Sequence, residues 1–185
     1  MVGALFRPFF DPRRLLIGAI VSYIPILALM ATGYAARLAR AARDGTGAPS
    51  WNRWLFLFVD GLMIATVTAI YAAPYAIAAS ASETAAAPPV VRQLFLLLML
   101  LATPAALARM AVRRNFFSAF AVPKVIRHVL SVRYLAAWVL WAAIMLAAIA
   151  GVGSLPDWGV YLVPGIAFIL LAISASLFGW TVREP

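Results

Sequence analysis

Few residues in this sequence could carry chemistry, and their types limit what that chemistry could be. There is no cysteine and one histidine, His128. That removes thiolate catalysis, disulfides, iron–sulfur clusters and cysteine-type zinc sites. A lone histidine also excludes a multi-histidine metal site or a bis-histidine haem within one chain. Two of the six acids, Glu83 and Asp157, fall in different loops with no basic neighbour beyond Arg92. They do not make the acid/base or nucleophile set that an enzyme at a membrane face would need. The sequence assigns no catalytic residue, no cofactor and no metal ligand, and a non-enzymatic role is expected.

Asp60 stands closest to an apolar run, and its meaning depends on depth. A charge at the bilayer centre costs about 2.5–3.5 kcal/mol, so burial there would mark a proton or ion site. Trp51–Ser82 is too long for one crossing. If Gly61–Ser80 fills the hydrocarbon core, Asp60 lies at the cytoplasmic rim behind an aromatic belt of Trp51, Trp54 and Phe58. Asp followed by Gly suits a helix start, where the carboxylate accepts from free N–H groups and meets the positive dipole end. Asp60 is therefore expected to cap a helix, paired with Arg53 or an arginine of the third loop.

The elements that must hold these residues follow from composition. The chain has 185 residues, 65% hydrophobic and only 11% charged, with a mean hydropathy of +0.98. Soluble domains are about 45–50% apolar and about 25% charged. The reading is all-α: a polytopic integral membrane bundle in one domain, 1–185. Charges divide it into membrane runs at about 15–36, 58–80, 90–111, 134–153 and 158–181. About 20 residues at 1.5 Å rise cross a core of about 30 Å. In lipid such runs are helical, because their backbone groups have no water to pair with. Pro25, Pro74, Pro104 and Pro164 fall inside them and are expected to kink or break the helices.

Net charge is +9. The basic residues flank apolar runs, which points to membrane orientation and anionic lipid and not to nucleic acid. Four runs read as full crossings. The N-terminal run Leu15–Ala36 has two readings. If it crosses, the first and third loops and the C-terminus are cytoplasmic and the N-terminus is outside. If it is a re-entrant hairpin bent at Pro25, every Lys and Arg except Arg92 lies on the cytoplasmic side. It is longer than the apolar core of about 7–15 residues in a signal peptide, so it is expected to stay in the mature protein. A single lysine (Lys124) beside abundant Ala and Arg suggests a GC-rich prokaryote. The expected location is the inner (cytoplasmic) membrane, multi-pass, with the C-terminus cytoplasmic.

Two segments should lie at the membrane surface. Residues 1–14 form an arm carrying Phe6, Phe9 and Phe10. Residues 115–131 include an in-plane amphipathic helix. On a helical wheel Lys124, Arg127, His128 and Ser131 cluster opposite Val122, Val125, Ile126, Val129 and Leu130. Lys124, Arg127 and His128, with Arg113 and Arg114, are the expected face for lipid headgroups or a partner; an ordinary basic loop accounts for them equally. Small residues at fourfold spacing, Ala143, Ala147 and Gly151, and again Ala172 and Ser176, are candidate helix-packing stripes, internal or for a partner.

The blocks Arg13-Arg14-Leu15-Leu16-Ile17-Gly18, Tyr23-Ile24-Pro25-Ile26, Gly33-Tyr34, Arg37 and Arg40 come in a familiar order. Trp51…Leu57-Phe58-Val59-Asp60-Gly61-Leu62 and Ala119-Phe120…Val125-Ile126…Leu130…Tyr134-Leu135 follow. Together they resemble a prokaryotic membrane family catalogued as domain of unknown function four thousand and thirteen. That pattern often has Lys after Asp-Gly-Leu where this chain has Met63, which weakens an ion pair at that site. The resemblance implies a polytopic membrane protein and supplies no catalytic residues. The expected role is an accessory or scaffold subunit that docks on other transmembrane subunits and stabilises a larger complex, for example a respiratory or photosynthetic one. The alternative is a small homo-oligomeric transporter or channel, a class that usually shows polar residues along a pathway.

Overall fold

The computed structural model describes residues 11–83 and 88–182. The described residues are helical, with no strand among them: α1 (Pro12–Val21), α2 (Pro25–Asp44), α3 (Trp54–Glu83), α4 (Pro89–Arg113), α5 (Val122–Val129), α6 (Val132–Gly153) and α7 (Val163–Thr181). Short 3-10 helices at Phe116–Phe120 and Asp157–Leu162 precede α5 and α7. Four helices are long and apolar enough to cross a bilayer: α3, α4, α6, and α7 with its 3-10 lead-in. The Phe6, Phe9 and Phe10 arm, the Glu83 side chain and Arg183 lie outside the described residues.

The prolines divide by position. Pro25 opens α2 and Pro164 sits in the first turn of α7, where a missing N–H is harmless. The N-terminal run is thus two helices. Ser22 ends the first by bonding back to the Gly18 carbonyl through both N–H and Oγ. Ile24 before Pro25 is extended, as a residue preceding proline prefers. Pro74 and Pro104 instead lie inside continuous helices. Pro104 cannot donate to the Leu100 carbonyl four residues earlier. Trp138 of α6 does so, its Nε1 lying 3.0 Å from that oxygen. The Tyr134 hydroxyl donates to the next carbonyl, Leu101. A kink site has become a docking point between α4 and α6.

Helix α2 is the axis of the N-terminal half. Its buried residues are mostly small: Ala31, Gly33, Ala35, Ala36, Ala39 and Ala42. They let two neighbours, α3 and α7, approach to backbone contact. A Cβ on Gly33 would lie 1.8 Å from the Leu57 carbonyl oxygen of α3, and one on Gly61 would lie 1.7 Å from the Leu29 oxygen of α2. At Gly179 of α7 the clash is with the Ala39 backbone, at 2.3 Å. Ala172 and Ser176 on the same face of α7 are fully buried, so this stripe packs inside the chain as expected of small residues. Helix α1 lies on α7, with Gly18 against the Phe168 ring.

The other stripe does not. Ala143, Ala147 and Gly151 all face outward on α6, and a Cβ on Gly151 would meet nothing within 4 Å. Packing within the chain is therefore corrected for these three. The inward face of α6 is set by Tyr134, Ala137, Trp138 and Trp141, and the three aromatic rings among them hold α6 at arm's length.

Gly33→Ala or Gly61→Ala should lower the stability of the detergent-solubilised protein by more than about 2 kcal/mol, because backbone atoms cannot yield to the added methyl. Gly151→Ala should leave the thermal midpoint unchanged or raised. Equal effects at the three sites would refute this crossing geometry.

Candidate functional site

The chain's polar groups converge at one end of the bundle. After α2 the chain turns at Gly45, in the left-handed conformation with φ 71°, and the loop folds back along α1 and α2. Trp51 stacks on Tyr34 with ring centroids 4.2 Å apart, and its Nε1 donates to the Arg14 carbonyl at 2.9 Å. The Tyr34 hydroxyl donates to the Pro49 carbonyl at 3.0 Å, and Arg14 donates to the Ala48 carbonyl. Trp51 is thus a packing residue, not part of a free aromatic belt. The loop encloses a polar cleft of about 590 Å³ walled by Arg37, Arg40, Arg53, Arg114, Asp44 and Asp60.

Inside the cleft Asp60 takes a different part from the one its sequence neighbours suggest. Helix α3 begins at Trp54, so Asp60 lies in its second turn and caps nothing. Gly61 serves close packing, not a helix start. Asp60 pairs with Arg40 of α2 at 2.8 Å, with side-chain exposures of 21% and 15%. Its partner is neither Arg53 nor a third-loop arginine. Arg40 also donates to the Ala111 carbonyl near the end of α4 at 3.1 Å, tying three helices together. Arg37, one turn earlier, donates to the Asn52 carbonyl and side-chain oxygen, both at 2.8 Å. Burial and the Arg40 charge lower the Arg37 pKa from its ordinary value. Arg53 precedes α3, and its carbonyl accepts from Phe56 and Leu57. Arg37 and Arg40 were visible only as loop charges. Their spacing of three on an Ala-rich helix, which puts both on one face, was the available signal.

The second polar site lies around α5. Lys124 and Arg127 are exposed, as expected, but His128 is buried. Its Nε2 lies 2.9 Å from the Thr181 hydroxyl at the end of α7, and its ring meets Tyr134 edge-on. The surface position expected for His128 is corrected. The wheel has three faces: Val125, His128 and Val129 turn inward, Lys124 and Arg127 point out, and Val122, Ile126 and Leu130 form a separate exposed apolar ridge. Burial, and then the charge of Arg109 on α4, lower the His128 pKa from 6.5 to about 4. Arg113 ends α4, and Arg114 follows it in the left-handed conformation, φ 52°, at the wall of the cleft. Among the described residues no three His, Asp or Glu side chains gather as a metal site would require.

Two outcomes follow. In a double-mutant cycle of Arg40→Gln with Asp60→Asn, thermal unfolding should reveal a coupling of about 1–3 kcal/mol, intermediate between exposed and buried pairs. The same cycle with Arg53→Gln should give none. For His128, the unfolded chain binds a proton below about pH 6.5 and the folded chain only below about 4. Its contribution is therefore complete above 6.5 and lost as pH falls toward 4. His128→Gln should flatten that part of the stability profile measured by thermal melts; an unchanged slope would mean that another group carries it.

No curated protein and no solved structure matches this chain. Residues 16–156 match the family model described as a protein of unknown function, DUF4013, and the chain belongs to that family.

Proposed function

We propose that the chain is a non-enzymatic accessory subunit of the prokaryotic inner membrane, which docks through α6 on a transmembrane helix of a larger complex and stabilises that complex. The outward face of α6 carries this reading. Val139, Leu146 and Ile149 are 63%, 68% and 69% exposed, and the stripe Ala143, Ala147, Gly151 runs beside them. On α7 the same spacing of small residues admits the backbone of α2. On α6 it offers the same close approach to a helix from another polypeptide.

Contacts at the basic end support the orientation. Trp51 and Ala48 touch Arg14, Arg40 touches Ala111, and His128 touches Thr181. These join the start of α1, the loop after α2, the end of α4 and the end of α7. A first run that enters and leaves on the same side, bent at Pro25, fits this gathering. By the positive-inside rule that side is cytoplasmic, together with the C-terminus. The apolar ridge Val122, Ile126, Leu130 then dips into the lipid, with Lys124 and Arg127 at headgroup level.

The test is gentle extraction followed by sizing and mass spectrometry. Stoichiometric co-purification with a larger complex is expected. Ala147→Trp with Gly151→Leu should cut it about tenfold, an interface loss near 1.4 kcal/mol, without lowering the stability of the chain itself. A stable homo-oligomer that carries flux in vesicles would replace this reading with the transporter or channel. A cysteine at Val2 should stay unlabelled from outside intact cells; strong labelling would end the re-entrant reading of the first run.

A further inference from the structure

The cleft at the basic end contains more positive charge than the fold uses. Arg40 is matched by Asp60, and Arg37 is spent on the Asn52 carbonyl and side chain. Arg53 and Arg114 are different. Both residues line the cleft, and among the described residues neither side chain is held by a hydrogen bond or an ion pair. Asp44 at the rim is the other acid, so four arginines face two aspartates.

Backbone geometry makes the same two residues unusual. Arg53 and Arg114 are the non-glycine residues with positive φ among the described residues, at 54° and 52°. That conformation costs a β-carbon-bearing residue about 1 kcal/mol or more, and glycine nothing. They come from different loops, one before α3 and one after α4, and both line a single cleft with side chains that no partner holds. Arg114 takes the positive-φ conformation as the left-handed C-cap that ends α4, whereas Arg53 ends no helix, and non-glycine residues kept in this conformation cluster at ligand sites. The first turn of α3, reached through Arg53 and Phe56, brings the positive end of a helix dipole, and the last turn of α2, through Ala41 and Asp44, brings the negative end of another, so the arginines and not the dipoles set the sign of the cleft.

We propose that this cleft binds a phosphate oxyanion, gripped by Arg53 and Arg114, with Arg37 and the Arg40–Asp60 pair forming its floor. Guanidinium groups present paired donors that match phosphate oxygens, and two of them at one cleft suit a phosphodiester or phosphomonoester. The phosphate could belong to a lipid headgroup or to a soluble ion, and the two arms of the test separate these.

Glycine is the informative replacement, since it removes each side chain and suits the backbone it leaves. Arg53→Gly with Arg114→Gly should therefore fold as well as the parent, which thermal melts check. Arg13→Ala with Arg133→Ala, at exposed positions away from the cleft, removes the same charge. In the first arm the full chain is placed in phosphatidylcholine nanodiscs with a minority of phosphatidylglycerol, and retained lipid is counted by native mass spectrometry. In the second arm inorganic phosphate is titrated into the chain in neutral detergent. A loss of at least about tenfold in the glycine double variant, with the alanine double variant near the parent, supports the site. Seen with phosphatidylglycerol it identifies lipid phosphate, and seen with inorganic phosphate it identifies a soluble one. Equal losses in both double variants, parent-like binding in the glycine variant, or no binding of either probe by the parent would overturn the proposal.

Discussion

Backbone contact between α2 and α3 at Gly33 and Gly61 is the constraint on which the rest depends. The two glycines face each other's helix at neighbouring levels, so the carbonyls of Leu29 and Leu57 occupy the space that side chains would fill. In lipid, apolar side chains gain little by leaving their surroundings, and helices associate through close packing and polar contacts. A crossing this tight fixes which faces of α2 remain. One takes α7, through Gly179 against Ala39. Another carries Arg37 and Arg40 to the cleft, where Arg40, about two turns beyond Gly33, reaches back to Asp60 beside the crossing. Packing and electrostatics are thus one arrangement: Asp60 and Gly61 are consecutive, the first pairing with α2 and the second touching it.

Much of the architecture was legible because bilayer thickness imposes a length on apolar runs, and the helices long enough to cross fall in the runs that the charges delimit. What a run does laterally was not legible. Ala143, Ala147 and Gly151 have the same spacing as Ala172 and Ser176, yet one stripe faces outward and the other is fully buried. Spacing tells which residues share a face and not which neighbour that face meets. Asp60 was misread for a related reason. Asp-Gly is a strong helix-start signal only if the helix starts there, and the aromatic stretch from Trp54 carries α3 back past it. His128 shares a polar arc with Lys124 and Arg127, and a wheel has no means of separating charge-bearing from hydrogen-bonding members of such an arc. Thr181, fifty-three residues away, does that.

Several aromatic donors within the bundle meet a carbonyl or hydroxyl on another element. Trp138 serves the Leu100 carbonyl that Pro104 leaves open. Trp141 donates to Ser174 at 2.8 Å, Tyr71 to the Ala119 carbonyl at 2.6 Å, and Tyr34 to Pro49. These bonds link helices distant in sequence without burying charge. They also explain how bulky side chains hold α6 away from α4 while keeping it in register.

The character of α2 bears on how such a chain is made. It is the most enclosed helix, yet it carries Arg37, Arg40 and Arg43 and is not among the four long apolar helices. Its neighbour α7 follows it far along the sequence. The face of α2 that meets Gly179 is therefore covered only after a helix translated much later has inserted, so the enclosure of α2 is a late event in assembly.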